Sequence, residues 1–202
     1  MKKIFLAALP VAIIGMMALT PVGDPLPLGS SIPSPEIKMK DISGKEISLK
    51  DAKTGKGLLV MFSCNTCPYV IKNQGRTNEA AKHALDNGIG VAILNSNEGK
   101  RDSDDSYEDM KAYGKEQGYK WYYLMDNNSA LADAFGANRT PECFLFNAEG
   151  KLVYHGAIDD NPSDALAVGR KHLVTAIDEM KSGKDISVKE SKSVGCTIKR
   201  LK

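Results

Sequence analysis

The sequence predicts an α/β protein, one sheet with helices against its faces and a hairpin at one edge. Three observations carry this reading. Apolar runs of strand length alternate with helix-length stretches from residue 57 onward. Gly57–Phe62 and Gly90–Leu94 are apolar throughout, as strands buried on both faces are. The composition, 42% hydrophobic and 26% charged, is that of an ordinary globular chain, and 202 residues suffice for one domain with a full core. The 27 Lys and Arg residues outnumber the 25 Asp and Glu by two, and Lys2 and Lys3 alone account for that excess. The chain therefore lacks the basic surplus of a nucleic-acid-binding protein.

In chain order, Lys2 and Lys3 precede an apolar run from Ile4 to Leu19, which Pro21, Gly23, Asp24 and Pro25 break. Charged, apolar and small residues in that order mark residues 1–23 as a signal peptide, cleaved near Thr20–Gly23. The run falls short of the roughly 20 residues of a membrane span, and Pro10 and Gly15 weaken it further. Left uncleaved, it is an N-terminal membrane anchor. Either way the rest of the chain is exported, to the periplasm, where disulfides persist.

Residues 24–35 are rich in Pro, Gly and Ser and read as a linker. Glu36–Lys40 and Glu46–Leu49 form a hairpin around Asp41-Ile-Ser-Gly-Lys45, and Gly57–Phe62 is the first buried strand. Pro68–Asn87 is a helix with Val70, Ile71, Ala80, Ala81 and Ala84 on its buried face, and Gly88 stops it. Gly90–Leu94 is a strand, Ser103–Gln117 a capped helix, Trp121–Met125 a strand and Ser129–Phe135 a short helix. Cys143–Phe146 and Lys151–His155 form a second hairpin, and Leu166–Met180 is the last helix. The acidic stretch Arg101–Asp109 reads as a cap and solvent face, because it lacks the Gly and terminal Glu of a calcium loop.

The chemistry lies where the first buried strand ends, at Phe62-Ser-Cys-Asn-Thr-Cys-Pro68. Cys64 closes the strand, and Cys67-Pro68 opens the helix, where proline's missing N–H costs nothing. The free N–H groups and partial positive charge of a helix start favour a thiolate. Cys64 is thus expected as the acidic, exposed nucleophile and Cys67 as the shielded thiol that resolves the mixed disulfide. Zinc would need a second ligand pair, whereas His83, His155 and His172 are scattered and read as surface or packed residues. A purely structural disulfide across two residues would stabilise little through chain entropy.

A second motif, Arg139-Thr-Pro-Glu-Cys-Phe-Leu-Phe146, is followed by Ala148-Glu-Gly150 and Lys151-Leu-Val-Tyr154, and the chain nears its end on Val194-Gly-Cys-Thr-Ile-Lys199. With the Cys-x-x-Cys, these residues resemble the thioredoxin-like superfamily, in its redoxin branch, where alkyl hydroperoxide reductase-type and thiol–disulfide oxidoreductase domains meet. The resemblance covers residues 29–180 and leaves residues 181–202 as a basic tail. It implies a thioredoxin-like fold, a central mixed β-sheet flanked by helices with an N-terminal β-hairpin. It implies a cis Thr140–Pro141 bond beside the redox pair, with Thr140 and Pro141 binding an extended substrate peptide. The implied activity is disulfide exchange with protein thiols, supplied by an upstream thiol electron donor, with no bound cofactor and no metal.

Two departures stand out. Thioredoxins carry Trp-Cys-Gly-Pro-Cys and a buried acid on the entering strand; here Ser63 and Asn65-Thr66 stand instead, and residues 57–62 hold no acid. Glu142 is the nearest substitute as a proton relay. Peroxiredoxins place a Thr three residues before the peroxidatic cysteine, and here Met61 occupies that place. A thiol peroxidase, with Cys64 or Cys67 attacking peroxide and Cys196 resolving, is the alternative function; a copper-binding protein of this fold is a third. Cys143, in an apolar strand, reads as core. Cys196 sits among the seven Lys and Arg of the tail, which favour a thiolate. It reads as an accessory thiol, a resolver or disulfide partner, or else as an exposed bystander on a solvated tail.

Overall fold

The computed structural model describes residues 23–201, so the signal peptide expected over residues 1–23 lies almost wholly outside the described residues. Among those described, no helix is long and apolar enough to cross a membrane. The strands are β1 (Met39–Asp41), β2 (Glu46–Ile47), β3 (Leu58–Ser63), β4 (Gly90–Asn95), β5 (Tyr122–Met125), β6 (Arg139–Thr140), β7 (Glu142–Phe146), β8 (Leu152–Gly156) and β9 (Cys196–Thr197). The helices are α1 (Leu49–Ala52), α2 (Pro68–Asp86), α3 (Tyr107–Glu116), α4 (Ala130–Phe135) and α5 (His172–Lys181).

Within residues 23–201, seven strands form a mixed sheet in the order β2-β1-β5-β4-β3-β7-β8. β3, β4 and β5 run parallel because α2 and α3 carry the chain back between them, while the two hairpins pair antiparallel. Successive side chains of a strand point to opposite faces. Leu59, Met61, Val91, Ile93, Cys143 and Leu145 accordingly pack against α2, α3 and α5. Leu58, Val60, Phe62, Ala92, Leu94, Phe144 and Phe146 pack against α1 and α4. This is the thioredoxin-like architecture that the motifs implied. The N-terminal hairpin is present but short, with Met39 opposite Ile47.

Several expectations change. Ile71 is 56% exposed, since it lies one position off the buried stripe Val70, Gln74, Thr77, Ala81 and Ala84 of α2. The last α-helix begins at His172, not Leu166; Leu166 is 98% exposed in a separate 3-10 turn, Ala165–Ala167. The segment carrying that turn is pinned apart from the helix: Asp160 N–H donates to the Arg170 carbonyl, and the Arg76 guanidinium binds Asp159 at 2.7 Å and the Asn161 carbonyl at 2.6 Å. The unanticipated α1 starts on a capping box, with Ser48 Oγ accepting from the Asp51 amide and Asp51 accepting from the Ser48 amide. The supposed linker packs along the domain, for Gly29 donates to the Leu152 carbonyl and Leu26, Leu28 and Ile32 lie against the α4-side core.

The largest change concerns the tail. Instead of extending into solvent, residues 184–201 wrap the domain. Ile186 and Ile198 are 7% and 5% exposed. Glu190 forms a parallel bridge with His155, and the amide of Ser191 donates to the His155 carbonyl, so the tail lengthens the sheet beyond β8. Farther on, β9 pairs antiparallel with β6.

Candidate active site

β3 delivers Cys64 to the end of the sheet, and Cys67 is the N-cap of α2 with Pro68 at its first turn. Across from them the Thr140–Pro141 bond is cis, as the motif implied. Thr140 lies against both sulfurs: its Oγ1 is 3.5 Å from Cys64 Sγ, and its carbonyl oxygen is 3.4 Å from Cys67 Sγ. Cys67 is joined by a disulfide to Cys196, across a Cα–Cα separation of 6.1 Å, while Cys64 and Cys143 are free thiols. Cys196 is thus a disulfide partner of the redox motif.

The expected exposure of Cys64 is corrected: it is 2% exposed and Cys67 5%, in a cluster with Val70 against which Tyr69, Tyr113 and Cys196 pack. Burial pushes the Cys64 thiol above the ordinary cysteine range. The Thr140 hydroxyl and the backbone at Cys67 and Thr66 pull it back, while the Asp105 carboxylate adds to the upward push. The helix start by itself does not make Cys64 acidic in this closed arrangement. Cys143, fully buried in the core, is pushed up further by the same desolvation and takes no part in the site.

Asp105 is the buried acid that residues 57–62 lack. It is fully buried, and its Oδ1 accepts from the Asn65 amide at 2.9 Å and from Asn95 Nδ2 at 2.7 Å; its Oδ2 accepts from Asn97 Nδ2 at 2.8 Å. Asn65 in turn donates from Nδ2 to the Asp104 carbonyl and accepts from the Tyr123 hydroxyl at 2.7 Å. The Arg101 guanidinium closes the network on Asn95 Oδ1, the Asp105 carbonyl and the Asp126 carbonyl. The supposed solvent face of residues 101–109 therefore holds the Cys-x-x-Cys loop in place. Within an acidic run, nothing in residue type separates Asp105 from its exposed neighbours Asp102 and Asp104.

Glu142 is 4% exposed, which removes the solvent-facing alternative. Its Oε2 accepts from the amides of Asn138 and Arg139 at 2.8 and 2.9 Å, and its Oε1 meets His155 Nε2 at 2.7 Å. His155 stacks on Phe144 with ring centroids 4.4 Å apart. None of the hydrogen bonds of Glu142 reaches a sulfur; the carboxylate shapes the backbone leading into the cis bond. Among the described residues, no three His, Cys, Asp or Glu side chains gather to hold a metal ion.

The profile of the Redoxin family matches residues 21–168. The chain belongs to the redoxin family. Among solved structures, it is 32% identical to a hypothetical protein of Sinorhizobium meliloti 1021, covering 88% of this chain and 97% of that one with a TM-score of 0.80. It is 31% identical to an uncharacterized conserved protein of Geobacillus kaustophilus, covering 87% and 93% with the same TM-score of 0.80. The thioredoxin domain of a thiol-disulfide oxidoreductase of Bacteroides vulgatus is 25% identical over 64% of this redoxin and 88% of that chain, with a TM-score of 0.53. No curated protein matches the chain.

Proposed function

We propose that this redoxin is an exported thiol–disulfide oxidoreductase that exchanges disulfides with protein substrates through Cys64 and Cys67. The observation that carries the reading is the meeting of three sulfurs at Thr140, one free thiol beside one disulfide. Thiol–disulfide exchange needs those two partners and no cofactor. Cys64 attacks, Cys67 resolves, and an upstream thiol protein supplies electrons. The Thr140 backbone ahead of Pro141 presents the substrate, held in shape by the bonds from Glu142 to residues 138 and 139. The charged and apolar leader supports export to the periplasm, and the Bacteroides vulgatus neighbour's description as a thiol-disulfide oxidoreductase supports the activity.

The test is turnover of a protein disulfide, such as insulin, under a thiol reductant. Cys64→Ser abolishes it, and Cys67→Ser accumulates protein–substrate mixed disulfides visible on a non-reducing gel, because nothing resolves them. Retained turnover in Cys64→Ser overturns the assignment. One observation favours peroxidase chemistry as a second reading: Thr140 Oγ1 stands beside Cys64 where Met61 offers no hydroxyl. Hydrogen peroxide is therefore the control substrate. A peroxide rate far above the disulfide rate, lost in Cys64→Ser, would promote that reading.

A further inference from the structure

Residues 195–200 lie along β6, the edge that the proposed function gives to the client. The pairing is antiparallel, Thr140 opposite Cys196 and Arg139 opposite Thr197, and the Ile198 amide donates to the Asn138 carbonyl at 3.1 Å. An extended peptide added to an exposed strand edge draws affinity from its backbone and specificity from pockets for alternate side chains. The tail has that form. At residue 195 only glycine fits, since a Cβ there would stand 2.1 Å from the Thr140 carbonyl oxygen. Cys196 points at Cys67 and is bonded to it. Thr197 is exposed. Ile198, buried, joins the apolar cluster of Leu131, Phe135 and Ala137. Arg200 donates from Nε to Asp133 Oδ1 at 2.6 Å and from Nη2 to the Ala137 carbonyl at 2.8 Å.

We propose that the tail is a tethered stand-in for the client, so that its register describes the client class: an extended segment reading glycine, cysteine, any residue, aliphatic, any residue, basic. The proposal rests on the thiol–disulfide reading above. It also makes the Cys67–Cys196 bond a latch. Cys64 gives up its proton as its sulfur attacks Cys67 Sγ; the Cys64–Cys67 bond forms, the Cys67–Cys196 bond breaks, and Cys196 leaves as a thiolate that takes up a proton. One disulfide replaces another, with no net oxidation. Freed of its bond, the tail leaves β6. The upstream thiol donor then reduces the Cys64–Cys67 bond to two thiols as it is itself oxidised to a disulfide, and a client disulfide laid along β6 in place of the tail is open to attack by Cys64.

The experiment uses the full chain carrying Ile198→Asp, which puts a charge into the apolar pocket and unseats the tail, and Cys196→Ser, which removes the bond alone. Each is reduced and mixed with the peptide Val-Gly-Cys-Thr-Ile-Lys-Arg activated at its cysteine as a nitrothiobenzoate mixed disulfide, and release of the coloured thiol gives the rate. Peptides with leucine for the glycine, or aspartate for the isoleucine, are the controls. The expected result is about tenfold or greater preference for the parent peptide in both variants, the consequence of ~1.4 kcal/mol or more of lost fit. Equal rates for all three peptides, with the small nitrothiobenzoate disulfide still reduced, overturn the client groove and leave the oxidoreductase standing. No reaction with any disulfide, in protein that retains its circular dichroism spectrum, overturns both. In the unaltered protein, hydrogen exchange of the Ile198 and Lys199 amides accelerates by about tenfold or more when the Cys67–Cys196 bond is reduced, while β3 amides stay protected. Unchanged protection after reduction shows a structural staple and overturns the latch.

Discussion

The two sides of the sulfur cluster are held in opposite ways. On one side, the Cys64–Cys67 loop is fastened by a buried polar network in which Asp105 accepts three hydrogen bonds and Asn65 serves as both donor and acceptor. On the other, β9 is a two-residue strand at an edge, held by backbone pairing, one buried isoleucine, one disulfide, the Arg200 guanidinium on Asp133 and the Ala137 carbonyl, and the Lys199 amide on Asn97 Oδ1. A satisfied buried network admits one arrangement, because each unpaired member bears a desolvation cost. A two-residue strand and an exchangeable bond admit two. On the proposed function, the fixed side carries the attacking thiol and the releasable side stands where the client would lie.

The sharpest way to break this contrast is Asp105→Ala, which strands the Asn65 amide and the Asn97 side-chain amide and leaves Asn95 Nδ2 only the Tyr123 hydroxyl. The expected loss is on the order of 3 kcal/mol or more, read from the denaturant midpoint, since each stranded buried donor costs about 1–3 kcal/mol. Asp105→Asn preserves most of the shape while removing the charge that adds to the upward push of burial on the Cys64 thiol. Its reduced form should therefore be alkylated at Cys64 at lower pH than the unaltered protein. A profile unmoved by Asp105→Asn would deny the carboxylate any electrostatic hold on the thiol.

Glu142→Gln comes next. A neutral amide accepts less well from the two amides ahead of Pro141 and loses the charge facing His155, which predicts a loss of about 1–2 kcal/mol. Faster hydrogen exchange should then concentrate at residues 138–140, while the network around Asp105 stays protected. Exchange that rises equally at both places would make Glu142 a general core residue.

The pH dependence follows from the raised thiols. Cys64 is faced by Asp105 and by the hydroxyls of Tyr113, Tyr119 and Tyr123, all without positive charge, and burial dominates the shift. With the folded value above the unfolded one, the stabilisation is complete below the ordinary thiol range. It is lost as pH climbs from there toward the folded value, by about 1.4 kcal/mol per pH unit for each such thiol. Cys143 behaves alike, so Cys143→Ala should flatten part of the alkaline slope in a denaturation series and leave the part due to Cys64. A slope unchanged by that substitution would mean that Cys143 does not titrate in this way.

The smallest effect belongs to the exposed side of β9. Thr197→Ala should change stability by less than about 0.5 kcal/mol, as exposed positions without partners do, and leave client exchange untouched. A large loss there would mean that the tail is recognised by more than its inward-facing residues.

How much could be read in advance differs along the chain for physical reasons. The strands β3 and β4, the helix α2 and its glycine stop announce themselves through local periodicity and continuous apolar runs, which do not depend on what is packed against them. The same holds for the Cys-x-x-Cys at a strand–helix junction and for the Thr-Pro before an apolar strand, both recognisable as motifs. Ile71 shows the limit of that reading: a helical stripe about 100° wide leaves an isoleucine one residue away in solvent, and composition alone cannot choose between them.

What the sequence by itself determined was therefore the α/β class, the order of its main elements, and the identity of the thiols and the proline beside them. Only the tertiary structure decided which acid lies beneath the motif, how exposed Cys64 is, and where the tail ends up. Asp105, Glu142 and Cys196 reach their partners across 40, 13 and 129 residues of chain respectively. Polar and basic residues look the same in sequence whether they face water or one another. Desolvation, which raises the Cys64 thiol and makes the Asp105 hydrogen bonds matter, exists only once those distant segments have closed over the site.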